Sequence, residues 1–125
     1  MIIAHTADFH LSSQRTRTDA ESGLNARLMD FYRCARYTIE HGLERGVDLF
    51  AIVGDAFNGA RPTPTEVRLC KDALAPALEA GRPIVMLLGN HEATRSPAER
   101  HALDLLLDED GIIVVEPIHE IGSTH

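Results

Sequence analysis

A chain of 125 residues, 44% hydrophobic and 25% charged, has the size and make-up of one globular domain. No apolar run nears the roughly 20 residues a bilayer crossing needs, which excludes a spanning helix. A net charge of −7 speaks against a broadly basic nucleic-acid-binding surface, although bound divalent cations would offset acidity locally. The basic set is eleven arginines and one lysine, Lys71, a bias that leans weakly toward phosphate recognition. Asp8 arrives too early for a signal peptide, so a cytoplasmic protein without membrane association is expected. Cys34 and Cys70 fall in helical patterns, are not spaced as zinc ligands, and are expected to stay reduced.

Residues 2–5 read as a short apolar strand leading into Thr6-Ala7-Asp8-Phe9-His10. Ser12 to Ser22 is polar and reads as a surface loop. A helix is expected from about Ser22, with Leu24, Leu28, Phe31, Ala35, Ile39 and Leu43 on one face and Gly46 closing it. Val47 to Val53 is the second strand, followed by a loop from Gly54 to Pro62. Thr63-Pro64-Thr65-Glu66 has the form of a capping box, opening a helix that buries Val67, Cys70, Leu74, Ala77 and Leu78. Pro76 should kink or shorten that helix, and Gly81 ends the segment. Residues 83–88 form the third strand, running into Gly89-Asn90-His91-Glu92. Ser96-Pro97-Ala98-Glu99 is a second capping box, for a helix with Leu103, Leu106 and Leu107 inward. Asp110-Gly111 turns the chain into a fourth strand, Ile112 to Val115, and the tail from Glu116 has no clear pattern.

The order βαβαβαβ predicts an α/β fold with a mostly parallel sheet and flanking helices. Ligands of such sheets bind beyond the carboxyl ends of the strands. Three apolar runs end at once in Asp8 and His10, in Gly54-Asp55, and in Gly89-Asn90-His91. The sheet can therefore bring together residues separated by 47 and 35 positions.

Carboxylate, imidazole and amide groups without thiolate suit Mn²⁺, Fe or Zn²⁺. Asp8 and His10 stand at i and i+2, and in an extended segment their side chains would point the same way. Asp55 could bridge two ions about 3.5–4 Å apart, with Asn90 as a neutral ligand of the second. His91 would then lie beside the ions, free to protonate a leaving oxygen. Glycine before Asp55 and before Asn90 lets the backbone come close. Each motif alone has an ordinary reading as a turn or polar loop; their conjunction after three strands points to a metal site.

These motifs resemble the first three of the calcineurin-like metallophosphoesterases, and within them the chain is most similar to SbcD-type DNA repair nucleases. The likeness rests on His5 to Leu11, on Val47 to Phe57, and on Pro83-Ile84-Val85 leading to Gly89-Asn90-His91. It implies the first half of an αββα sandwich, a single partial domain over residues 1–125. It further implies that Asp8 and His10 bind a first metal, Asp55 bridges, Asn90 binds a second metal, and His91 is the general acid. Manganese is the metal the likeness implies, DNA or another phosphodiester the substrate, and an SbcC-like ATPase the partner. Glu92 stands where the nuclease pattern more often has Asp. The family's later histidine and Gly-His-x-His motifs have no match; His101, His119 and Gly122-Ser123-Thr124-His125 read as surface residues and coincidence.

A half-fold would leave one apolar sheet face bare, so a homodimer or a complex with a chain carrying the missing half is expected. Arg15 and Arg17, just after the first motif, are candidates for contact with substrate phosphate, against the plainer reading of a solvated loop. The competing functions are a phosphatase or small-molecule phosphodiesterase of the same superfamily, and a non-catalytic half that acts only with a complementary chain.

Overall fold

The computed structural model describes residues 1–14, 16–89 and 102–115. Four strands form one sheet: β1 (Ile3–Thr6), β2 (Leu49–Val53), β3 (Ile84–Leu87) and β4 (Ile112–Val115). They lie side by side in chain order, and every pairing is parallel. Helices α1 (Ala26–Glu44) and α2 (Pro64–Glu79) make the first two crossovers, and a 3-10 helix (Ala102–Leu106) precedes β4. Among the described residues no helix is long and apolar enough to cross a membrane.

The strands alternate as half-covered strands do. Ala4, Phe50, Ile84 and Ile112 stand in one row across the sheet, and Thr6, Ile52, Met86 and Val114 in a second row on the same face. Phe50, Ile52, Ile84 and Met86 are at most 1% exposed, and α1 and α2 pack together over them. A side chain at Gly42 of α1 would run into the Phe50 ring, so glycine sets how closely α1 approaches the sheet. The opposite face is the bare apolar one expected. There Ile3, Val53, Ile113 and Val115 are 42% to 54% exposed.

The helix ends show which local signals decided the fold. At α2 the capping box forms as predicted: Thr63 Oγ1 accepts from the Glu66 N–H at 3.2 Å, and the Thr63 N–H donates to Glu66 Oε2 at 2.9 Å. At α1 the predicted start near Ser22 is corrected to Ala26, capped by Asn25. The Asp19 carboxylate accepts from both the backbone and hydroxyl of Ser22, and Gly23 has φ 72°, so a turn outcompetes the helix there. Gly46 takes the left-handed conformation predicted, with φ 74°.

Pro76 does not stop α2, which runs on to Glu79. Proline cannot donate to the Asp72 carbonyl one turn earlier. Arg36 of α1 supplies that donor instead, its Nη1 lying 2.8 Å from the Asp72 oxygen. Leu103 and Leu106 are buried as expected, but Leu107 is 52% exposed. The three-residue period of a 3-10 turn stacks 103 over 106 and turns 107 outward. The capping box at Ser96 lies outside the described residues. Cys34, exposed, and Cys70, buried, are not joined in a disulfide.

Candidate metal centre

β1 and β2 end side by side, with Thr6 opposite Ile52, so both chains leave the sheet at its carboxyl edge. Their pairing continues beyond the strands. The Asp8, His10 and Leu11 N–H groups donate to the carbonyls of Gly54, Asp55 and Ala56 at 3.1, 2.9 and 2.9 Å. Leu11 and Phe57, bridged to each other and 1% and 0% exposed, pin the two loops into the core. The first loop is held again at Ser13, whose N–H donates to Glu66 Oε1 at 3.2 Å. Buried Glu66 therefore serves both the α2 cap and this loop.

This lacing brings Asp8, His10 and Asp55 together, with one donor atom from each lying within 4.8 Å of the others. His10 Nε2 is 3.5 Å from Asp8 Oδ1 and 3.9 Å from Asp55 Oδ2. The convergence predicted for Asp8, His10 and Asp55 is present, but its route differs. The segment is not extended: Asp8 has φ 60°, His10 φ 48° and Asp55 φ 53°. Among the described residues these are the non-glycine positions with positive φ. Left-handed backbone costs a side-chain-bearing residue roughly 1–2 kcal/mol, and its concentration here marks a site that shape alone does not call for.

The side chains form a graded cup. Asp8 is 66% exposed at the rim, His10 31%, and Asp55 17% at the floor. Gly89, at the end of β3, closes the floor. Any Cβ there would overlap Asp55 Oδ1 and the Asp55 nitrogen, so glycine is required for this third chain to lie against the site.

Two carboxylates and an imidazole nitrogen are a donor set for a borderline divalent cation. Donors sharing an ion at about 2.1 Å stand about 3.0–3.4 Å apart; the His10 separations of 3.5 and 3.9 Å lie just above that, so a small inward shift of the side chains would let the residues fit a metal. Asn90, His91 and Arg15 lie outside the described residues. Arg17 is not in the cluster; it lines a separate polar cleft of about 840 Å³ with Arg27, Asp30 and Arg33. In that cleft Arg33 forks onto both Asp19 oxygens at 3.1 and 3.2 Å. That fork, and then the Ser22 hydrogen bonds, hold the Asp19 carboxyl well below the usual carboxylate range.

Sequence reasoning missed two supporting residues. Asn58 Oδ1 sits 3.1 Å from His10 Nδ1, and Glu66 does more than cap a helix. The first had a signal: a metal-binding histidine wants an acceptor on its other nitrogen, and Asn58 is the polar residue nearest Asp55 in the second loop. The second had none, because 53 residues separate Ser13 from Glu66.

The profile of the calcineurin-like phosphoesterase family matches residues 1–123. The chain is 35% identical over 99 residues to the DNA double-strand break repair protein Mre11 of Methanopyrus kandleri. It is 31% identical over 108 residues to the protein of the same name from Methanocaldococcus jannaschii. It is 32% identical over 118 residues to the SbcD component of the SbcCD nuclease of Rhodobacter capsulatus. These alignments take in 76%, 86% and 92% of this chain but 20%, 28% and 26% of the relatives, so it spans about a quarter of their length. On a match that runs from the first strand past the fourth, the chain belongs to the calcineurin-like phosphoesterase family.

Proposed function

We propose that this chain carries part of a two-metal phosphodiesterase site, and that its activity is that of a DNA exo- or endonuclease of the SbcD type. The observation that carries the reading is the Asp8–His10–Asp55 cup at the carboxyl edge of a parallel sheet. Divalent ions held there, Mn²⁺ first among them, supply Lewis-acid activation of water and charge neutralisation at the phosphate. Asp8 and His10 would hold the first ion, and Asp55 would be shared with the second. Asn90 would add a neutral oxygen to the second ion, and His91 would be the acid that protonates the leaving oxygen. Gly89, their neighbour in sequence, lies against Asp55, which supports that assignment. Arg15 and Arg17 are proposed contacts for substrate phosphate, Arg17 from its own cleft rather than within the metal cup.

The three donors among the described residues, with Asn90 as a fourth, are fewer than two ions take, since each binds four or more ligands. On this reading the single partial domain takes its remaining ligands from outside the described residues, in a homodimer or with a complementary chain, and an SbcC-like ATPase is the proposed further partner. The exposed apolar sheet face supports such association. The proposed place of action is the cytoplasm. A stable monomer by light scattering at high concentration would count against the association.

Activity is tested by comparing DNA with bis-p-nitrophenyl phosphate in Mn²⁺. Cleavage of DNA that falls at least about a hundredfold in Asp55→Ala supports the nuclease reading. Turnover of small diesters alone points to the phosphodiesterase or phosphatase reading. No turnover with any divalent ion would mean that this chain is a non-catalytic half.

A further inference from the structure

We infer that Asn58 is the positioning residue of the metal centre, fixing His10 so that Nε2 presents its lone pair to the ion. The inference rests on the metal-binding reading above and adds a residue to it. His10 Nδ1 lies 3.1 Å from Asn58 Oδ1, while Nε2 faces Asp8 and Asp55 at 3.5 and 3.9 Å. The two nitrogens thus have different jobs. A neutral imidazole carries one proton, so one nitrogen donates and the other accepts. A ring that gives Nε2 to an ion keeps its proton on Nδ1, where it donates to the Asn58 carbonyl oxygen. Acceptors behind a ligating histidine fix its tautomer and ring orientation in this way.

Asn58 is well placed for the task. Its neighbour Phe57 is fully buried and bridged to Leu11, the neighbour of His10. The two loops are further joined by the bond from the His10 N–H to the Asp55 carbonyl. Both partners of the Asn58–His10 contact are therefore anchored by adjacent core residues, and the amide reaches the ring without ordering a free loop. Asn58 itself is exposed, so replacing it removes no packing from the core.

The test is the exchange protection of the His10 Nδ1 proton in the Zn²⁺-loaded chain, read by long-range ¹H–¹⁵N NMR, together with Mn²⁺ affinity by electron paramagnetic resonance. In the wild type that proton should be held by Asn58 and exchange slowly. Asn58→Leu and Asn58→Ala should lose the protection and bind Mn²⁺ about ten- to a hundredfold more weakly, with unchanged circular dichroism. Asn58→Asp, which keeps an acceptor, should restore both. A fast-exchanging wild-type Nδ1 proton, or an Asn58→Leu chain with wild-type protection and affinity, would overturn the inference. A wild type that binds neither ion would overturn the metal-binding reading on which the inference rests.

Discussion

The two edges of the sheet use one backbone conformation for different ends. At the amino edge the chain enters β2, β3 and β4 through left-handed glycines, Gly46, Gly81 and Gly111, with φ between 71° and 94°. There the chain only has to turn, and glycine does so without strain. At the carboxyl edge the same region is occupied by Gly54 and by three donor-bearing residues, Asp8, His10 and Asp55. Glycine would be easier for the backbone, but it would bring no donor atom. The contrast separates positions that serve the fold from positions that serve the site.

The contrast breaks most sharply at Gly89, the carboxyl-edge position where glycine is needed for room. Gly89→Ala places a Cβ on Asp55, including its backbone nitrogen, which cannot rotate away. We expect Mn²⁺ binding to be lost and stability to fall by about 1–3 kcal/mol, checked by urea melts and metal titration.

A smaller effect of opposite signs should appear across the two edges. Gly46→Ala, forcing a Cβ into the left-handed region, should destabilise by about 1 kcal/mol with metal binding intact. Asp8→Gly relieves strain at the cost of unfolded-state entropy. It should raise stability of the metal-free chain by about 0.5 kcal/mol while weakening Mn²⁺ binding. Equal responses in chelator would remove the distinction between the edges.

The smallest effect lies in the polar cleft, away from both edges. Arg33, and then Ser22, lower the Asp19 carboxyl in the folded chain. The stabilisation is therefore complete above the ordinary carboxylate range, near pH 4, and fades as pH falls through the lowered folded value. Arg33→Ala should melt earlier than wild type in urea at pH 7, and the gap should narrow toward strong acid. A gap that widens on acidification would contradict the pairing.

Where a signal was local, the sequence carried it. Four apolar runs gave four strands, because their alternation or burial is a property of each run. Thr63 and Glu66 announced α2 because a capping box lies within one turn. Asp8, His10 and Asp55 could be grouped because parallel sheets collect strand ends at one edge. Other features depended on contacts far along the chain or on competition between local choices. The Asp19–Ser22 turn displaced the start of α1 by taking groups a helix would have used. The left-handed Asp8 and His10, residue types that tolerate that region, are held there by hydrogen bonds to the loop after β2, far along the chain. Leu107 turned outward because the helix tightened to a period of three.

Pro76 and Arg36 stand on different helices, yet the proline creates the vacancy that the arginine fills at Asp72. Their fates as substitutions are therefore tied. With alanine at 76 the helix regains its own donor, and Arg36 becomes replaceable. With proline retained, losing Arg36 leaves a carbonyl to find another partner. A neutral path of sequence change through this helix pair has a preferred order: the proline goes first, and the arginine follows.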